Sequence, residues 1–188
     1  MGSRIAAMHY CLPDGRLTQQ QLEERFVPRQ VQGIAKLSGI IERRVVKPGQ
    51  TAADLALLAA QGLIKAHRVD PQSIGLLLFC SQTPDYQIPA TACVLHGRLG
   101  LRKNCAAFDI NQGCSAFPYA LSIAHGYIAA GLTETALILN ADALSGVTHP
   151  QDRGLVTLHG DGACATLLVR TDKPDEGVEA FRLGTDGT

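Results

Sequence analysis

The run Cys105-Ala-Ala-Phe-Asp-Ile-Asn-Gln-Gly-Cys-Ser-Ala-Phe-Pro-Tyr-Ala-Leu121 decides how this chain is read. Its first half, Ala106–Ile110, has the short apolar character of a strand covered on both faces. From Ser115 to Ala130 the pattern is helical, and Pro118 is tolerated because it falls in the first turn. Cys114 sits at the turn between the two. The first N–H groups of a helix have no intrahelical partner, and with the helix dipole they favour an anion, so a thiolate forms there more readily than in free cysteine. That placement suits a nucleophile. The competing reading is a buried structural cysteine.

Working outward, Arg4–Leu12 alternates like a strand and ends at the turn signal Pro13-Asp14-Gly15. Thr18–Phe26 favours helix, and a loop-like stretch then runs to Glu42-Arg43-Arg44. Thr51-Ala-Ala-Asp54 reads as a capping box, followed by Leu55, Leu58, Ala59, Leu63 and Ala66 at helical spacing, which predicts a helix over Ala52–His67. Ile74–Cys80 is a buried strand. Pro89–Leu99 is a helix closed by Gly100. Thr135–Ala141 and Ala163–Arg170 are further apolar strands, Lys173–Gly177 a turn, and Val178–Leu183 a last alternating strand. Strands alternating with helices predict an α/β fold with a largely parallel sheet. In such sheets ligands bind beyond the carboxyl ends of the strands, which is where Cys114 lies.

The 188 residues fit one domain, and the 46% hydrophobic content can build a core without disulfides. Lys+Arg and Asp+Glu both number 17, so no charge excess draws the chain to nucleic acid or a membrane surface. No apolar run is long enough to span a bilayer, and the N-terminus does not read as a signal peptide, so the expected compartment is the cytoplasm. The six cysteines are scattered with no C-x-x-C pair, which argues against a zinc site or a disulfide framework.

Five motifs then fall in order: Gly39-Ile-x-Glu-Arg-Arg44, Thr83-Pro-Asp-Tyr86, Phe108-Asp-Ile-Asn-x-Gly-Cys-Ser115, Asp152-Arg153-Gly154 and Gly160-Asp-Gly-Ala163. Over nearly its whole length the chain resembles the N-terminal half of β-ketoacyl-ACP synthase III, in the thiolase superfamily. The resemblance implies a thiolase-like α/β/α layered half with a mixed, mostly parallel five-stranded sheet spanning residues 1–188. It implies an acyltransferase of the 3-oxoacyl-ACP synthase III type. Acyl transfer from a CoA or ACP thioester to Cys114 precedes decarboxylative condensation with malonyl-ACP in the complete protein.

By the same resemblance, Cys114 is the acylated residue, its N–H helps form the oxyanion hole, and Arg153 packs against the CoA adenine. Ile88 reaches across a homodimer to line the partner's acyl pocket. Gly160 and Gly162 belong to a tight turn shaping the site, and the strand before the cysteine lies at the dimer seam. The expected partners are acyl carrier protein, acyl-CoA and a C-terminal half, with no metal and no cofactor beyond the acyl-CoA or acyl-ACP substrate.

Three departures stand out. The histidine and asparagine that the family's condensing enzymes supply from the C-terminal half are not in this sequence. Gly33 and Leu37 fall where the family has an adenine-stacking tryptophan and a nearby arginine. Ala116 stands where glycine is common. The sequence therefore reads as a half or a fragment, with an apolar face where the second half packs. Two rival readings are a non-catalytic dimerisation or partner-binding half, and an acyltransferase to an alcohol or amine without decarboxylation.

Among the other polar residues, His125 lies about 16 Å along the helix from Cys114 and is out of reach. His159 precedes the Gly-Asp-Gly turn and is a weak candidate for a general base. Asp109 and Asn111 read as hydrogen-bonding anchors of the strand end. Glu42, Arg43 and Arg44 read as a solvated or loop-anchoring charge cluster.

Overall fold

Two apolar strands, β4 (Leu76–Cys80) and β6 (Thr135–Asp142), form the middle of the sheet because both of their faces are covered. Leu77, Phe79, Leu137 and Leu139 point to one side, into a core shared with Leu55, Ala56, Ala59 and Leu63 of helix α3 (Ala52–His67). Leu76, Leu78, Cys80, Ala136 and Ile138 point to the other, against Ala116, Ala120, Ala124 and Ile128 of helix α5 (Ala116–Ala129). The alternation is the strand period of two, and the small residues four apart on α5 let that helix lie close on the sheet.

This is a computed structural model, and it describes residues 2–173 and 176–188. The remaining elements are β1 (Gly2–Cys11), β2 (Gly15–Thr18), α1 (Gln19–Arg25), α2 (Pro28–Ser38), β3 (Glu42–Val45), α4 (Thr91–Arg98), β5 (Ala106–Ile110), α6 (Arg153–Leu158) and β7 (Gly162–Thr171). The main sheet runs β1-β7-β6-β4-β5. β4 pairs parallel with both β5 and β6, while β7 runs antiparallel to β6 and to β1. β7 alone is reversed, so the sheet is mixed and mostly parallel, with helices on both faces. A separate hairpin joins β2 to β3. Among the described residues, no helix is long and apolar enough to cross a membrane.

The α3 cap forms as the sequence predicts. Asp54 N–H donates to Thr51 Oγ1 and Thr51 N–H donates to Asp54 Oδ2, both at 3.2 Å, and Arg98 of α4 donates to Asp54 Oδ1 at 2.9 Å. Burial alone would raise the Asp54 carboxyl. Hydrogen bonds from Arg98 and Thr51, with the charge of Arg98, outweigh it and hold the group below the usual carboxylate range. A carboxyl depressed in the folded state adds stability above its unfolded value of about 3.9, and that stability is lost as pH falls through the folded value. Denaturant midpoints at pH 6 and pH 3 should therefore fall further for the natural chain than for Asp54→Asn. Equal falls would remove Asp54 from the acid response.

Three sequence expectations change. The stretch read as loop before Ser38 contains helix α2, with Pro28 at its first turn and Gly39 closing it at φ +73°. Its signal was present in that proline–glycine pair and in Val31, Ile34 and Ala35, but polar residues and the mid-helix Gly33 diluted it. Arg43 keeps only the loop-anchoring half of its reading: it is buried, 3% exposed, its guanidinium donates to Thr157 O, and burial lowers its pKa. Val178–Leu183 forms no strand. Val178 N–H gives one hydrogen bond to Ser3 O at 2.9 Å, and the segment then lies over α5, where the Phe181 ring meets His125 edge-on at 5.4 Å. One bond does not make a ladder; Phe181 packs on α5 instead, while Leu183 stays 46% exposed. Of the turn at Lys173–Gly177, residues 174 and 175 lie outside the described residues.

Candidate active site

Cys114 occupies the middle of a single 3₁₀ turn, Gly113–Ser115, wedged between the carboxyl end of β5 and the first residue of α5. Gly113 turns the chain at φ +59°, a backbone that side chains rarely adopt. The thiol is exposed. Burial, with Asp109 and Asp142 nearby, pushes the Cys80 thiol up to about 12, and burial also raises Cys105. Those two are inert core residues; Cys114 is available for chemistry.

Cys114 opens onto a cleft of about 390 Å³ that it shares with Gln82, Asn140, Asp142, His159, Gly160 and Gly162. Two further openings adjoin it. A channel of about 340 Å³, walled by Leu17, Val45, Val46, Leu155 and Val156 with Arg16 and Arg25, has His159 in common with the cleft. A wider groove of about 650 Å³, between the loop after β4 and the turn after β5, has Gln82 in common with it. The three spaces form a series with Cys114 in the central one.

Two carboxylates hold the walls. Asp142, at the carboxyl end of β6, accepts at Oδ1 from Gln82 N–H (2.7 Å), Thr83 N–H (3.1 Å), Ser81 Oγ (3.1 Å) and Thr83 Oγ1 (3.2 Å). That single oxygen fixes the loop carrying Gln82. Asp161, only 4% exposed, accepts from Val46 N–H at 2.7 Å, Ser145 N–H at 2.8 Å and the Ser145 hydroxyl. Its own N–H donates to Arg44 O at 2.7 Å. The Gly160-Asp161-Gly162 turn is thereby fastened to the end of β3.

Neither Gly160 nor Gly162 has positive φ. Their requirement is close approach. A Cβ on Gly160 would lie 3.1 Å from Arg44 O, and one on Gly162 would lie 3.1 Å from Leu12 Cδ2. Glycine is needed at both positions for lack of a Cβ and not for a left-handed backbone.

The other sequence candidates separate. Asp109 is an anchor: its carboxylate accepts from Thr91 N–H (2.8 Å) and Ala92 N–H (2.7 Å) at the start of α4. Arg153 stands exposed at the start of α6 and donates to Gln30 Oε1 of α2, not to Asp152, which caps α6 by accepting from Leu155 N–H at 3.0 Å. Ile88 lies outside all three spaces and is 91% exposed. His125 faces the tail over α5, and its Nδ1 bonds Ser3 Oγ at 3.0 Å. His159, rated low on sequence, faces the Cys114 cleft. No local sequence signal marks Gln82 or Asp142 as wall residues, because only the parallel pairing of β4 with β5 and β6 brings them beside the cysteine turn.

The profile of the 3-oxoacyl-[acyl-carrier-protein (ACP)] synthase III family matches residues 108–187. A crystal structure of a 3-oxoacyl-(acyl-carrier-protein) synthase III superposes with TM-score 0.95 at 37% identity, covering 100% of this chain and 56% of that one. The corresponding synthase of Pseudomonas aeruginosa PAO1 gives 0.91 at 30% identity over 100% of this chain and 58% of its own. OleA from Xanthomonas campestris gives 0.76 at 27% identity over 90% of this chain and 58% of its own. The chain thus spans little more than half the length of these relatives. In fold and in sequence it is a β-ketoacyl-ACP synthase III-like chain of the thiolase-like class, corresponding to the N-terminal half of such a protein.

Proposed function

We propose that the complete protein is an acyltransferase in which Cys114 accepts an acyl group from a CoA or ACP thioester and passes it on in a decarboxylative condensation with malonyl-ACP. The observation that carries this reading is the series of three spaces with the exposed thiol in the middle one. A thioester has two arms diverging from one carbonyl carbon. The apolar channel suits the thiol-bearing arm, and the acyl group is assigned to the groove past Gln82, whose Ser81, Gln82, Gln87 and Asn111 lining fits a short acyl group better than a long hydrocarbon chain; the carbonyl then lies over Cys114. The thiolate attacks there, the Cys114 N–H at the head of α5 helps hold the oxyanion, and the donor thiol leaves through the channel. Gly160 and Gly162 form the wall facing the sulfur.

Arg153 serves the distal end of the donor from the α2–α6 surface. Gly33 in α2 offers it no stacking partner, and Leu37 is 91% exposed. The residues that polarise the malonyl thioester carbonyl come from the C-terminal half of the protein. Homodimerisation uses the free edge of β5, which is hydrogen-bonded to β4 on one side only, with Ile88 reaching into the partner's acyl groove.

The test is intact-mass spectrometry after incubation with acetyl-CoA and longer acyl thioesters, followed by peptide mapping. One acyl adduct on Cys114 is expected. An adduct confined to the exposed Cys93, or none when the C-terminal half is also supplied, would refute the reading.

A further inference from the structure

We propose that His159 carries the proton of the acyl-transfer step, taking it from the Cys114 thiol and returning it to the departing donor thiolate. The inference rests on the reading of Cys114 as acyl acceptor. Its starting point is position. Among the described residues, His159 alone lines both the cleft that holds Cys114 and the apolar channel assigned to the donor's thiol arm. The bond that breaks joins the acyl carbon over Cys114 to the sulfur at the head of that arm. The sulfur therefore leaves at the junction, where the imidazole stands.

The imidazole is free to act. Among the described residues its ring makes no hydrogen bond, whereas its backbone N–H is held by Leu155 O at 2.9 Å. The backbone on either side is fixed. Upstream, the buried Arg43 guanidinium donates to Thr157 O. Downstream, Asp161 binds Val46 and Ser145. A half-buried ring on a pinned backbone, facing two cavities without a partner, is arranged to meet something that enters them.

Among this chain's own described residues, the competing groups are less suited. Asp161 is buried and occupied by three donors, and Asp142 Oδ1 by four. Arg16 is held by Glu42 at 2.8 Å and Arg25 by Pro150 O. Asn140 and Gln82 do not titrate. Imidazole both accepts and releases a proton near neutral pH, which a carboxylate or guanidinium does poorly.

The step balances. The Cys114 S–H bond breaks and its proton goes to an imidazole nitrogen, while a new bond forms from Cys114 Sγ to the acyl carbon. The bond from that carbon to the donor sulfur breaks, leaving its electron pair on sulfur, which takes the proton from the imidazolium. Nothing is oxidised or reduced.

The test compares His159→Phe and His159→Gln with the natural chain, using two acyl donors on Cys114. One is an N-acetylcysteamine thioester, whose alkyl thiolate needs a proton to leave well. The other is a nitrothiophenyl thioester, whose thiolate leaves without one. Loss of the imidazole should slow the alkyl donor on the order of 10²-fold, and by about tenfold more than the aryl donor. A merely structural role would slow both donors equally, so an unchanged alkyl-to-aryl ratio overturns the proposal. Should the phenylalanine variant not fold, the glutamine variant carries the same comparison. With the C-terminal half supplied throughout, absence of any Cys114 adduct in the natural protein sinks the acyl-acceptor reading and this inference with it; adducts with an unchanged ratio sink this inference alone.

Discussion

Cys114→Ser should lower acyl-adduct formation at least on the order of 10³-fold and leave the unfolding midpoint unchanged. Serine keeps the shape of the turn and its hydroxyl, but an alcohol is almost wholly un-ionised at neutral pH, while a few per cent of an ordinary thiol is thiolate and sulfur is intrinsically the better nucleophile. Among the described residues the one imidazole facing the cleft, His159, has no carboxylate partner, and imidazole needs such a partner to ionise an alcohol. Stability is spared because the side chain is exposed and fills no core. Cys80→Ser should do the opposite. It places a hydroxyl in the apolar layer with Leu78, Ala120 and Ile138, costs stability, and leaves the adduct on Cys114. Rates from time-resolved intact mass and midpoints from urea titration give the two readouts. Full adduct yield in Cys114→Ser would move the chemistry to another residue.

That contrast also marks what the sequence could say. Cys114 was legible because its chemistry is local: an apolar strand, a glycine at the turn and a helix start within ten residues define its surroundings. Helix α3 was legible for the same reason, its capping box and apolar stripe being written contiguously. The α/β class and its mostly parallel sheet followed from the alternation of strands and helices, but the strand order did not. Less visible were features that depend on distant segments meeting. Arg43 reads as a solvated or a loop-anchoring charge beside Glu42 and Arg44, and only the arrival of Thr157, far along the chain, decides for the second. Gly160 looks like a flexible turn residue, and only the passage of Arg44 O beneath it shows that it is needed for its lack of a Cβ. His159 has no local pattern at all. Its value comes from where α6 ends relative to the cysteine turn. The tail after Val178 alternates like a strand, but alternation supplies a face and not a partner edge, and of that face Phe181 meets His125 of α5 while Leu183 remains exposed.

Asp161→Ala should destabilise the fold by about 2–4 kcal/mol and, in the population that remains folded, slow acylation of Cys114 as well. The carboxylate lies between two segments that no other described side-chain bond joins as directly: Val46, just past β3, and Ser145, in the 3₁₀ turn after β6. Removing it leaves the Val46 and Ser145 N–H groups without their acceptor in a partly buried space, and each orphaned donor costs about 1–3 kcal/mol. Against a total stability of about 5–15 kcal/mol the loss is large. The functional part follows from position. Asp161 sits between Gly160 and Gly162, which wall the Cys114 cleft, and two residues after His159, which links that cleft to the channel. Once the turn is released from β3, Gly160 no longer rests on Arg44 O and the imidazole loses its fixed base. Asp161→Asn sharpens the test. Its one oxygen can replace the acceptor for Val46 or for Ser145 N–H but not both, because the amide NH₂ would then face a donor. Asparagine should therefore fall between alanine and the natural residue in urea midpoint and in acylation rate alike. An alanine variant within 1 kcal/mol of the natural chain, or one that is destabilised but acylated at the natural rate, would show that the turn is held by its packing on β3 and not by this carboxylate.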